Sequence, residues 1–325
     1  PFRLKTKYGT KTYTDTRTYR LVSEVEISDC LAETPNTFFL RIPLPQKTET
    51  QRTVAINSVQ PEPFVLSYQG ASIYRFYNVN AERKIHIRQE YSVSRSKVET
   101  KVNSASFRKA GKNNPLLYAA YTEANELLPA DDPAVKQVCK HIIGNETNPY
   151  TKAKRIYTFL TAELQARNAS AADAGRLILT ALEEKSGSAY DLALLFCTIA
   201  RAAGVPAVPT AGLLVDQAQK ATLHWWAEFY LNGFGWVPVD SADVAKMRLA
   251  EKKSVEDKDT QAVAKYLFGN WEANWVGFNH ARDFNLYPQP ELAPINNFGY
   301  PYAEVGGDPL NSFDPKEFKY DYVSK

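Results

Sequence analysis

The feature that most constrains this chain is a stretch with almost no polar face, residues 191–203. Its Leu, Ala, Phe, Ile and Cys side chains cover every side of a helix, and such a helix is stable only when protein surrounds it. Gly204, Val205 and Pro206 supply a stop signal. Gly187 and Ser188 stand just ahead, where a helix cap is expected. Position 189, an alanine, therefore falls in the first turn, where unpaired N–H groups and the helix dipole act most strongly. The chain has 325 residues and is 44% hydrophobic, enough to build a core around this helix, as two domains or one large one.

Past the helix the pattern changes to strands. Phe229-Tyr230 and Trp236-Val237 flank Leu231-Asn232-Gly233-Phe234-Gly235, a short glycine-containing hairpin connection. Folding about Gly233 sets Trp226 opposite Asp240. Side chains alternate along a strand, so His224 and Asp240 share a face and lie diagonally, within side-chain reach. An Asp so placed can hold an imidazole in one tautomer and stabilise its cation. Singly, each residue has a plainer reading. A lone His near a strand start is commonly structural or solvated, a lone Asp closing a strand is a turn residue, and the tryptophans are core.

In combination these residues resemble the transglutaminase-like superfamily of papain-type thiol enzymes. Gly187-Ser188-Ala189-Tyr190-Asp191-Leu192-Ala193 is similar to that family's nucleophile helix, which opens Gly-x-Cys-x-Asp-x-Ala, and Ala189 stands where the Cys belongs. His224-Trp225-Trp226-Ala227-Glu228 resembles its His-x-Trp-x-Glu strand, and Gly235-Trp236-Val237-Pro238-Val239-Asp240 its Gly-Trp-x-x-x-Asp strand. Phe38-Phe39-Leu40-Arg41-Ile42-Pro43-Leu44-Pro45 looks like the β-domain that precedes many bacterial cores of this type. Phe268-Gly269-Asn270, Arg282-Asp283-Phe284-Asn285-Leu286 and Tyr300-Pro301-Tyr302-Ala303-Glu304 resemble their tail, which departs at Trp275, where an arginine is expected.

The resemblance implies acyl transfer or hydrolysis at amide bonds of a protein or peptide substrate, through a Cys-His-Asp triad. Residue 189 is then the nucleophile position and its backbone N–H an oxyanion donor. His224 is base and acid, Asp240 its orienter, and Glu228 a structural hydrogen-bonding partner. Ser188, Tyr190 and Trp225 are expected in the substrate cleft. No cofactor is implied. An alanine supplies no nucleophile, so the chain as written is expected to be inactive. We take Ala189 as an engineered replacement, because His224 and Asp240 are intact. The alternative is a natural pseudoenzyme, a protein- or peptide-binding module. Peptidase and transglutaminase share this triad and are not separated by residue identity.

Basic and acidic residues are nearly balanced, 39 against 36, which gives no case for nucleic acid. The cysteines Cys30, Cys139 and Cys197 are too few for a disulfide scaffold. Cys197, inside the buried helix about two turns past Ala189, cannot replace the nucleophile. The scattered His residues give no zinc spacing, so no metal is expected. No apolar run is long enough to span a membrane and no signal peptide is visible. The only methionine is Met247, so Pro1 is read as a trimmed start. Export to a bacterial periplasm or envelope, with the signal removed, fits that reading. Asn145-Glu146-Thr147 and Asn168-Ala169-Ser170 match a glycosylation acceptor pattern only weakly. Oligomeric state stays open.

The expected fold is α+β. Alternation at Tyr19, Leu21, Val25 and Ile27, and at Phe38, Leu40, Ile42 and Leu44, predicts an N-terminal β-sandwich over residues 1–108. A linker at 109–115 leads into a papain-like core over 115–265, with the nucleophile helix packed on an antiparallel sheet. Earlier helices are predicted over 116–128, 133–143 and 149–166. Residues 266–325 read as an irregular tail packed on the core.

Overall fold

A computed structural model describes residues 1–27, 36–68, 70–80, 83–107, 114–169, 177–280, 299–312, 314–316 and 319–325. The chain opens with strands β1 (Phe2–Thr6), β2 (Gly9–Ile27), β3 (Asn36–Pro43), β4 (Thr53–Gln60), β5 (Val65–Tyr68), β6 (Ala71–Val79) and β7 (Ile85–Val102). There follow α1 (Pro115–Thr122), α2 (Pro133–Ile143), α3 (Pro149–Glu163), β8 (Gln165–Ala166), α4 (Ile178–Glu183), β9 (Ser186–Gly187) and α5 (Ala189–Ala202). Next come β10 (Ala207–Val215), β11 (Lys220–Leu231), β12 (Gly235–Val239), α6 (Ser241–Glu251) and α7 (Lys258–Tyr266). The last strands are β13 (Asn270–Trp271), β14 (Trp275–His280), β15 (Tyr302–Val305), β16 (Asp308–Pro309) and β17 (Lys319–Ser324). The fold is mixed, with large antiparallel sheets, as the α+β reading expects.

Period-two alternation in the first hundred residues becomes real strands. β2 and β7 pair antiparallel along most of their length. A second sheet, ordered β16-β15-β3-β6-β5, supplies the facing layer. Val25, Ile27, Ile85 and Ile87 from one layer meet Phe38, Leu40, Ile42 and Tyr74 from the other in one buried cluster. Arg41, on β3, is also fully buried. Its Nη1 donates to Glu304 of β15 at 2.7 Å, and Tyr302 stands opposite it in the ladder. The Phe38 and Tyr300 sequence motifs are thus joined by a buried ion pair.

The larger sheet runs through both halves of the chain, in the order β13-β7-β2-β17-β11-β10-β14, with β1, β4 and β12 attached to its side. β17 lies between β2 and β11: Tyr322 faces Ser23 on one side and Ala221 on the other. Residues 266–325, read from sequence as irregular, therefore contribute strands to both sheets. Their Asn, Pro, Tyr and Gly content hides this, because each strand is completed by a distant partner rather than by its own pattern. The linker reading at 109–115 lies largely outside the described residues.

Two helix readings are corrected. The helix expected over 116–128 ends at Thr122; Glu123 is extended, and the Asn125 side chain takes the Leu128 N–H at 2.8 Å, a local turn that competes with helix. The helix expected over 149–166 stops at Glu163, because Gln165 and Ala166 pair in parallel with Ser186 and Gly187. The prediction over 133–143 matches α2. Helices α4, α6 and α7 were not anticipated. Among the described residues no helix is long and apolar enough to cross a membrane.

Helix α5 packs on β10 and β11 with α2, α3 and α6 around it. Phe196 meets Phe229, and Tyr190 meets Trp225 edge-on at 5.8 Å. Gly204, just past its end, has φ +73°, which a side chain would strain.

The Arg41–Glu304 pair yields a prediction. Glu304→Ala leaves a buried guanidinium without its carboxylate, so it should cost about 3–5 kcal/mol in urea unfolding. Replacing both residues, Arg41→Met with Glu304→Leu, should recover most of that loss. Equal loss in the single and double variants would show that the pair's charge is not the cause.

Candidate active site

Ala189 is the first residue of α5, and its setting comes from its neighbours. Ser188 is the N-cap: its Oγ accepts the Asp191 N–H at 3.3 Å, while Asp191 Oδ2 accepts the Ser188 N–H at 2.8 Å. This reciprocal box satisfies two donors at a helix end that has no water to turn to. Arg167 Nη2 adds a 3.2 Å contact to the same Asp191 oxygen. Gly187 is required here, because a Cβ on it would stand 2.7 Å from Asp191 Cβ. The Gly-x-x-x-Asp spacing is therefore a packing and capping device that presents position 189 at the helix start. Of the expected cleft residues, Ser188 is committed to this cap. Tyr190 and Trp225 face each other across the join between α5 and β11.

The hairpin forms in the register expected from sequence. Ala227 pairs with Val239 and Leu231 with Gly235, and Gly233 takes φ +80° in the connection. One step further, Trp226 falls opposite Asp240. His224 Nε2 lies 2.6 Å from Asp240 Oδ2, and both side chains are buried. Asp240 Oδ1 accepts the Asp243 N–H at 2.9 Å, which makes Asp240 the N-cap of α6. One carboxylate thus starts a helix and fixes an imidazole. His224 Nδ1 is buried with no hydrogen-bond partner among the described residues, and Asp243 Oδ1 stands 3.9 Å from it.

Burial alone would lower the His224 pKa, but Asp240 and Asp243 outweigh it and hold it above 6.5. Burial, with repulsion from Asp240, raises the Asp243 carboxyl above its ordinary value. The ring centroids of Trp226 and Trp275 lie 6.1 and 5.8 Å from that of the imidazole, and the two indoles stack with centroids 5.1 Å apart. Trp275, where an arginine was expected, accordingly gives His224 an aromatic neighbour. A guanidinium there would oppose the imidazolium; a π face does not. Glu228 Oε1 accepts the indole N–H groups of Trp226 and Trp271 at 3.0 and 2.9 Å.

Asp243 is the site residue that sequence reasoning missed. Its signal was present, since an acid three residues past Asp240 suits the first turn of a helix. Ligand-capable atoms of His224, Asp240 and Asp243 lie within 4.8 Å of one another, a set that could contact a cation. Both Asp240 oxygens are already committed, so cation binding would cost the His224 bond or the cap. Cys139 and Cys197 are buried, and burial pushes both thiols up, away from thiolate chemistry. Cys30, Ser170 and the Arg282 to Leu286 motif lie outside the described residues.

Residues 136–241 match the family model of the transglutaminase-like superfamily. It is similar to an uncharacterized protein of Haemophilus influenzae, 58% identical over 219 residues that cover 60% of this chain and 59% of that one. The chain thus spans less than two thirds of that relative's length. The crystal structure of a protein from Cytophaga hutchinsonii, proposed as a cysteine protease, superimposes with TM-score 0.61 over 97% of this chain and 92% of that one, at 13% identity. That likeness is one of fold.

The His224–Asp240 pair makes stability depend on pH. The folded-state pKa of His224 lies above its unfolded value of about 6.5. Its contribution is therefore complete below about pH 6.5 and is lost as pH rises through the raised value. Asp240→Asn keeps a capping side chain and removes the anion. Urea unfolding across pH 5–9 should then show a flatter decline above about pH 6.5 than the parent. An NMR titration should place the variant's His224 midpoint lower. Superimposable profiles would contradict the charge pairing.

Proposed function

We propose that this chain is a transglutaminase-like thiol enzyme of the acyl-transfer or amide-hydrolysis class, with Ala189 standing at its nucleophile position. The observation that carries this reading is the asymmetry of His224. Asp240 holds Nε2 at 2.6 Å, while Nδ1 is buried with no hydrogen-bond partner among the described residues. A general base needs one nitrogen oriented and the other open to the nucleophile's proton.

With a thiol at position 189, Nδ1 takes its proton and the thiolate attacks an amide carbonyl of a protein or peptide substrate. The backbone N–H of residue 189 would donate to the oxyanion as the tetrahedral intermediate forms. The imidazolium returns the proton to the leaving amine, leaving a thioester. Water or a second amine resolves it, giving hydrolysis or a crosslink. Asp240 orients the ring and stabilises its cation throughout. With alanine at 189 no acyl-enzyme forms, a loss on the order of a million-fold where a triad nucleophile is removed. The second reading, a binding module without turnover, is favoured by Ala189 itself.

Ala189→Cys tests the assignment. The introduced thiol should alkylate with an apparent pKa below the roughly 8.5 of a free thiol. It should also react faster than Cys139 and Cys197, which burial holds protonated. Adding His224→Ala should abolish both that reactivity and any ammonia release or peptide cleavage. Asp240→Asn should leave a measurable remnant. Labelling no faster than the native cysteines would sink the triad reading.

A further inference from the structure

A cavity of about 620 Å³ opens among β2, β7, β10 and β11, behind Trp226. Aromatic rings, Trp226, Trp271 and Phe234 among them, share its walls with polar side chains. Among the described residues, Arg95 and Thr210 of its lining each carry a buried polar atom with no hydrogen-bond partner. The Thr210 hydroxyl is buried with no hydrogen-bond partner among the described residues. Arg95 is 2% exposed; its Nε donates to the Glu272 carbonyl at 3.1 Å, its guanidinium lies 5.5 Å from the Trp226 ring centre, and its Nη2 is buried and unpartnered.

A buried cation without a counter-charge is costly, because desolvation is not repaid. Among the described residues, the other buried cations have either an ion pair or two backbone carbonyls. Arg41 has Glu304 at 2.7 Å, and Lys11, in this same cavity, has Glu49 at 2.7 Å. Arg201 lies in the last turn of α5 and donates to the Ala207 and Glu123 carbonyls. Arg95 has one carbonyl and one π face, and no ion-pair partner among the described residues. Glu228 also lines the cavity, but its Oε1 is held by two indoles and it acts on Arg95 only at longer range. Burial lowers the Arg95 pKa to about 10, which leaves it charged at neutral pH.

We propose that this cavity binds a monocarboxylate with an apolar ring or chain as its body. The carboxylate meets the Arg95 guanidinium and the Thr210 hydroxyl, and the body lies on the indoles. The same chemistry is presented by a small free acid and by the C-terminal carboxylate of a peptide. The site stands apart from acyl transfer and needs no thiol at position 189.

The test uses the full chain with Ala189 in place. Tryptophan fluorescence and calorimetry would follow three probes: N-acetylphenylalanine, its carboxamide, and 3-phenylpropionate. Saturable binding of at least one acid, about tenfold or more tighter than the carboxamide, is expected for a charge-assisted contact. N-acetylphenylalanine binding best identifies a peptide terminus; 3-phenylpropionate binding best identifies a small free acid. Arg95→Met should remove the preference for acid over carboxamide without lowering the melting temperature, since it deletes an uncompensated charge. Thr210→Val, nearly isosteric, should weaken acid binding severalfold and keeps the test open if the arginine variant misfolds. Equal binding of acid and carboxamide, no binding at millimolar concentration, or full acid affinity in Arg95→Met would overturn the proposal. So would a large fall in melting temperature with the acid preference intact, which assigns Arg95 to structure alone.

Discussion

A helix with no wet side must satisfy its end groups within the protein, and much of the core is arranged around that demand. The first turn of α5 is closed by Ser188 and Asp191, and Arg167 reaches in from the β8 side to share the Asp191 oxygen. At the far end Lys152 of α3 donates to the Ala203 carbonyl at 2.8 Å, and Arg201 Nε, from the last turn, donates to the Ala207 carbonyl of β10 at 3.0 Å. Each solution recruits a residue from another element. The helix is thereby tied to its neighbours at the two places where a buried helix is weakest.

The same economy governs the other half of the site. Asp240 serves a helix with one oxygen and an imidazole with the other, so backbone geometry and side-chain geometry are fixed together. None of the contacts that shape the site passes through the side chain at 189. Gly187, Ser188 and Asp191 set the helix start, and Asp240 sets His224. A thiol could therefore be exchanged for a methyl group, by design or by descent, while the surroundings keep their form.

The local devices were legible in the sequence because each is a short-range rule. The cap before the buried helix, the glycine stop after it, and the hairpin register that pairs His224 with Asp240 all follow from spacing alone. What spacing could not show is partnership at a distance. The strands of the last sixty residues exist because β2, β3, β7, β10 and β11 offer edges to them. Helix α3 ends where Gln165 finds Ser186. The pairing of Arg41 with Glu304, residues far apart in sequence, is likewise invisible to spacing. Asp243 was overlooked because α6 had not been recognised, and Arg95 reads as one basic residue among several on a strand. Its isolation is visible only once the surrounding walls are in place.

The position of β17 has a bearing on how the molecule is assembled. Residues 319–324 sit between a strand completed by residue 27 and one that begins at residue 220. During synthesis β2 can pair early with β7, but its edge over residues 21–26 stays open until residues 319–324 have emerged. Closing so long a loop is a slow step, and an open strand edge is a surface other chains can join. The large sheet is fastened by a segment about three hundred residues after β2 begins, and it is most exposed to wrong partners just before that segment arrives.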